Sequence, residues 1–151
     1  MKIRIEHSES DEIVIKCREE NDKIRMLKAS IEELLHGESV ISLALENTEH
    51  FIPKHDILFF ESSNGKVYAH TCDAVYTSRC KLFELEKMMP PSFVRISKGA
   101  IVNVNRVSTL RRELVGNGEL SFRGGNKKVY FSRAYYKLLQ YKINEMRFEN
   151  Q

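Results

Sequence analysis

The chain has no tryptophan, three prolines and three cysteines among its 151 residues, and each scarcity closes off a class of protein. Cys17, Cys72 and Cys80 form no CxxC pair. An odd number cannot complete a disulfide framework, so they are expected to be reduced, partly buried and apolar in behaviour. His70 and Cys72 are close in sequence to Cys80, but no fourth ligand or second pair completes a zinc set, and His7, His36, His50 and His55 are scattered. Neither a metal nor a cofactor is expected. There is no GxxxxGK[ST], GxGxxG or HExxH, and neither Ser97 nor Ser132 sits in a GxSxG elbow. Glu84 and Glu86 point to different faces of a short helix and make no acid/base pair, so enzymatic function is not expected. No apolar run approaches the ~20 residues of a membrane helix, and charged and apolar residues alternate near Met1 instead of forming a secretory core. A cytoplasmic protein without membrane insertion is expected.

What the chain does have is charge, and it is divided. The net charge of +3 hides a first part, residues 1–49, with 7 Lys and Arg against 12 Asp and Glu, and a second, residues 50–151, with 17 against 9. These are nets of −5 and +8. A basic excess confined to one region suits a surface that faces phosphates.

Residues 2–6 and 12–17 concentrate Ile3, Ile5, Ile13, Val14 and Ile15 around a polar turn and predict two short strands. From Asp22 the period changes: Ile24, Leu27, Ile31, Leu34 and Leu35 fall at helical spacing, with Asn21 or Asp22 as N-cap and Gly37 just past the end. Residues 1–39 are thus read as an acidic β-β-α extension and 40–151 as a second domain. That domain is mostly short strands separated by turn residues: Val40–Leu45, His50–Pro53, Ile57–Ser62, Lys66–Ala69, Val75–Ser78, Phe93–Ser97, Ala100–Val104, Val107–Leu114, Glu119–Arg123 and Lys127–Phe131. Asn64-Gly65 is the strongest hairpin signal, because both residues tolerate positive φ. Leu82, Leu85 and Met89 mark a short helix stopped by Pro90-Pro91. Ser132 is the expected cap of a last helix carrying Tyr135, Leu139, Ile143 and Met146. The predicted class is mainly β (α+β) with antiparallel sheets.

Three segments stand out in order: Leu58-Phe59-Phe60-Glu61-Ser62-Ser63; Phe93 to Val104, in which two strand-like runs meet at Ser97-Lys98-Gly99; and Val129-Tyr130-Phe131-Ser132-Arg133-Ala134-Tyr135. Over roughly Glu49 to Ile143 the chain resembles the LytTR family, the DNA-binding domain of many bacterial response regulators. The resemblance implies an elongated, antiparallel, multi-sheet domain that lays loops into successive major grooves of double-stranded DNA. It places Ser97 and Lys98 at DNA, where many members carry His or Asn. It gives Arg133 a DNA contact, and makes Lys66, with Asn64 beside it, the contact of the first hairpin. Lys127, Lys128 and the Tyr136 hydroxyl are further candidates for phosphates, although Lys pairs on exposed strands also deter edge pairing. Asn103, in the family's Val-Asn pair, is expected to bond backbone and fix the loop. The family usually joins this domain to a receiver, and about 37 residues are too few for one. A stand-alone transcriptional regulator is therefore expected, homodimeric on DNA or bound to a regulatory protein through the acidic unit. Small membrane proteins are encoded beside some members of this layout. The rivals are an RNA-binding β domain, with Tyr68, Tyr76, Phe122 and Tyr130 as stacking residues, and a protein-interaction module without nucleic acid.

Overall fold

The structure, a computed structural model, describes residues 1–36 and 40–146. The elements run α1 (Asp22–His36), β1 (Val40–Leu45), β2 (Thr48–Pro53), β3 (Phe59–Ser63), β4 (Lys66–His70), β5 (Val75–Ser78), α2 (Leu82–Met88), β6 (Phe93–Ser97), β7 (Ala100–Asn103), β8 (Val107–Arg112), β9 (Gly118–Phe122), β10 (Lys128–Phe131) and α3 (Tyr136–Met146). The strands make a seven-stranded sheet of order β2-β1-β5-β4-β3-β7-β6 and a three-stranded sheet of order β10-β9-β8. Every pairing is antiparallel, as the dense turn chemistry predicts. At the β3–β4 turn Asn64 and Gly65 have φ of 53° and 77°. Two successive left-handed residues give a tight turn the twist that its strands require.

Strands β3 and β7 lie inside the larger sheet; β7 and the Phe59–Phe60 start of β3 are buried on both faces. Phe60 and Ile101 face a cluster closed by Leu82, Leu85 and Met89 of the α2 region. Phe59 and Val102 face a second cluster closed by Leu120 and Phe122 of β9, Val129 and Phe131 of β10, and Leu139 of α3. Phe59 stacks on Phe122 at 5.5 Å, so one aromatic pair ties the two sheets together. Each large apolar side chain buried in this way contributes about 1.5–3 kcal/mol. The smaller sheet is close enough to require a glycine for space alone: a Cβ on Gly118 would lie 2.0 Å from the Arg111 carbonyl oxygen and 2.6 Å from Cζ of Phe131.

The N-terminal unit corrects the sequence reading. Its helix forms, but the two expected strands do not: residues 1–20 contain no strand, and Ile3 and Ile5 are 95% and 91% exposed. A lone two-stranded hairpin is marginal in water unless a third strand or a packed face supports it, and no described residue supplies either. The cap of α1 is Asn21, whose Oδ1 accepts from the Ile24 N–H at 3.0 Å. Gly37, the expected terminator, lies outside the described residues. The stripe of α1 does not cover strands of its own; Met26 is buried, and the Tyr141 hydroxyl of α3 donates to Asp22 Oδ2 at 2.8 Å. Farther along α1, Leu34 and Leu35 are exposed.

Asn103 makes the backbone bonds expected of it, at the end of β7 remote from Gly99. Its Nδ2 donates to the Ile57 carbonyl at 3.1 Å and its Oδ1 accepts from the Asn105 N–H at 3.2 Å, with the side chain buried. Asn103→Ala leaves these backbone partners without the side-chain bonds and should cost about 1–3 kcal/mol. A urea midpoint unchanged from the parent chain would refute this anchoring role.

Candidate nucleic-acid interface

Register brings three separate chain segments to one end of the molecule. Strand β3 runs antiparallel to both β4 and β7, with Ser63 opposite Lys66 and Glu61 opposite Ala100. The Ser62 N–H donates to the Gly99 carbonyl at 2.8 Å, so the Asn64–Gly65 and Lys98–Gly99 tips share an end. The Ser132 N–H donates to the Ile96 carbonyl at 2.9 Å, which brings Arg133 to that same end. Beside Arg133 runs the β8–β9 turn. A Cβ on Gly116, which has φ of 101°, would meet Cγ of Arg133 at 2.8 Å. A side chain there would displace the arginine stem.

Lys66, Lys98 and Arg133 are exposed, and their cationic groups have no hydrogen bond or ion pair among the described residues. Their supports are fixed. The Ser97 hydroxyl accepts from the Gly99 N–H at 3.2 Å, so Ser97 shapes the tip and is half-buried. Arg95 was not singled out in the sequence, yet it braces this tip from below. Its Nη1 donates to the Lys98 carbonyl at 2.6 Å and its Nε to Glu86 at 2.7 Å. The signal was available: Arg95 is a charge inside the Phe93–Ser97 strand, where a cation needs a partner. Held this way, the tip presents a mobile ammonium on a stiff backbone, the arrangement suited to an anion outside the protein.

The other candidates separate from this group. Lys127 lies at the opposite end of the larger sheet, where its Nζ donates to the Ala74 carbonyl at 2.9 Å and sits 3.4 Å from His70 Nδ1. Burial, first among the causes, holds its ammonium below the ordinary lysine value, and lowers His70 as well. Nε2 of His70 is 2.8 Å from Glu61, so the three side chains form a clasp between the sheets. Along β3 from Phe59 to Ser63 this is roughly 13 Å from the tips. Lys128 is exposed but pairs with Glu119 at 3.4 Å. Tyr136 is half-buried, stacked on Phe131 at 5.6 Å, with the Arg112 guanidinium 4.0 Å above its ring. Ser132 gives no side-chain cap; its carbonyl accepts from Tyr135, and residues Arg133–Tyr135 form a 3₁₀ turn before α3.

The LytTr DNA-binding domain matches residues 47–144. The chain belongs to the LytTr family. The solved LytTr DNA-binding domain of a putative methyl-accepting/DNA response regulator from Bacillus cereus has a similar fold, with a TM-score of 0.65 and 25% identity, covering 71% of this chain and 98% of that one. Two curated relatives are each called an uncharacterized HTH-type transcriptional regulator. The one from Staphylococcus aureus (strain NCTC 8325 / PS 47) is 27% identical over 124 residues, 82% of this chain and 83% of that protein. The other, from strain MRSA252, is 26% identical over the same length. Among the described residues of this LytTr chain there is no helix-turn-helix pair, since strands separate α1, α2 and α3. The RNA-binding reading loses its platform: Phe122 is buried, and Tyr68 and Tyr76 pair with Thr77 and Ala69 and so face opposite sides of the sheet. No described helix is long and apolar enough to cross a membrane.

Proposed function

We propose that this LytTr protein is a transcriptional regulator that reads double-stranded DNA in the major groove with the loops at one end of its sheets. The observation that carries the reading is the convergence of Lys66, Lys98 and Arg133, exposed and unpartnered among the described residues, on rigid tips at one end of the fold. In this reading Arg133 is the principal base reader, because its planar fork matches guanine O6 and N7. Lys98 serves a phosphate or a guanine, Lys66 and Asn64 serve the neighbouring stretch of backbone, and Ser97 sets the tip's shape. Lys128 and the Tyr136 hydroxyl are secondary phosphate contacts that must first leave or share their present partners. Lys127 is assigned to the inter-sheet clasp and not to DNA.

The acidic extension, residues 1–39, is assigned to assembly. An acidic segment is repelled by phosphates, and Leu34 and Leu35 of α1, with Leu138 and Tyr141 of α3, are exposed. This surface joins two copies on DNA or receives a regulatory protein, such as a small membrane protein. Enrichment from a randomised duplex pool by the full chain, with sedimentation of the complex, tests both parts. The expected outcome is a repeated half-site occupied by two chains; the full chain bound as a monomer to such a paired duplex would eliminate the dimer, and absence of any enriched duplex would eliminate the regulator.

A further inference from the structure

The β8–β9 turn, residues 113–117, carries the most exposed large apolar side chain of the described chain. Leu114 is 107% exposed and Val115 70%. A single exposed leucine on a protein surface needs no explanation, but these two are held out by a fixed turn at a charged end of the molecule. The Glu113 N–H donates to the Asn117 carbonyl at 2.7 Å and the Gly116 N–H to the Glu113 carbonyl at 3.0 Å. Gly118, packed with no room for a Cβ, fixes the turn's exit. The turn is therefore closed by its own backbone hydrogen bonds, with its apolar pair off the sheet and in solvent.

Its neighbours are basic. The Arg133 stem runs against Gly116, close enough for Cγ, Cδ and Cβ all to meet an added methyl there, so Arg133 adjoins the turn that carries the exposed apolar pair. Arg111 and Arg112 precede the turn. The acids at its base, Glu113 and Glu119, both pair with Arg111, at 3.3 and 3.4 Å. Two side chains are far too small a surface for a stable protein partner, which needs on the order of 1,000 Å². They are the right size for the one apolar feature that duplex DNA shows in its major groove, the 5-methyl group of thymine.

Resting on the major-groove reading above, we propose that Leu114 and Val115 form a second, apolar reading element that packs on thymine methyl groups next to the base pair engaged by Arg133. The element would add a thymine preference at a fixed offset from the guanine, which three cationic tips alone do not supply.

The test uses the full chain and the duplex it enriches from a randomised pool, with thymines then replaced throughout by deoxyuridine, which lacks only the methyl. Loss of one or two buried methyl contacts should weaken binding by about threefold to tenfold. The doubly substituted chain, Leu114→Ser with Val115→Ser, should bind the thymine and deoxyuridine duplexes equally and should enrich sequences without the fixed thymine. Both positions are exposed, so its melting temperature should match the parent's. Equal binding of the two duplexes by the parent chain overturns the proposal, as does a variant that weakens on both alike or a parent consensus with no fixed thymine. In each of those cases an enriched duplex still exists and the major-groove reading stands; failure to enrich any duplex removes both.

Discussion

Raising the salt concentration from about 50 to about 200 mM should weaken binding of the full chain to its enriched duplex roughly a thousandfold. Each phosphate neutralised releases condensed counterions, and log K falls with log salt by about 0.9 per phosphate, so about six contacts give a slope near −5. The chain's overall charge of +3 would not suggest this, because the acidic first 49 residues mask the +8 of the remainder. The structure adds the reason for a steep slope: Lys66, Lys98 and Arg133 are not already consumed by ion pairs among the described residues. Lys128 and Arg111 are, both with Glu119. Fluorescence anisotropy across a salt series measures the slope. A value near zero would mean that phosphates do not supply the binding energy, and the interface proposed at the loop end would have to be abandoned.

Arg133→Ala should cost about 1–3 kcal/mol on the enriched duplex, roughly tenfold to a hundredfold in affinity, and much less on random DNA. A residue that only follows the backbone loses affinity uniformly. A base reader loses the difference between sites. Arg133 is placed for the second role because its stem is held against Gly116 and its position is pinned by the Ser132–Ile96 hydrogen bond. A guanidinium restrained in this way gives up less rotamer freedom on engaging a base. Lys98→Ala provides the contrast: if it serves a phosphate, cognate and random DNA should weaken alike and the salt slope should become shallower by about one. Lys142→Ala, farther along α3 where the helix runs away from the tips, should change little. If all three substitutions weaken cognate and random duplexes equally, the protein binds through a diffuse basic surface and the assignment of Arg133 is wrong.

Much of this was legible because the relevant signals are local. Asn64-Gly65 predicts its own turn through the positive φ both residues tolerate, and Pro90-Pro91 ends α2 by removing backbone donors. The last helix is legible through the spacing of Leu139 and Ile143. Two features have the opposite character. The pattern of Ile3, Ile5, Ile13 and Val14 has strand propensity, but a strand also needs a partner, and propensity does not say where one is. Lys127 and Lys128 are adjacent and identical in sequence, whereas in the fold one turns inward to Ala74 and His70 and the other outward to Glu119. Lys127 precedes β10 and Lys128 begins it, and what each side chain meets there decides the difference.

The sequence by itself determined the antiparallel β class, the positions of most turns, the segregation of charge and, through three short motifs, the DNA-binding family. These depend on backbone preference, period and composition, which act over a few residues. Only the tertiary structure decided which cations belong to one surface. That choice depends on register: Ser62 bonded to Gly99 and Ser132 to Ile96 bring Lys66 and Arg133, 67 positions apart, to one end. It also exposed the Leu114–Val115 turn and the bracing of Lys98 by Arg95. Solvent exposure and hydrogen-bond geometry arise from how distant strands pack, and no local pattern encodes them.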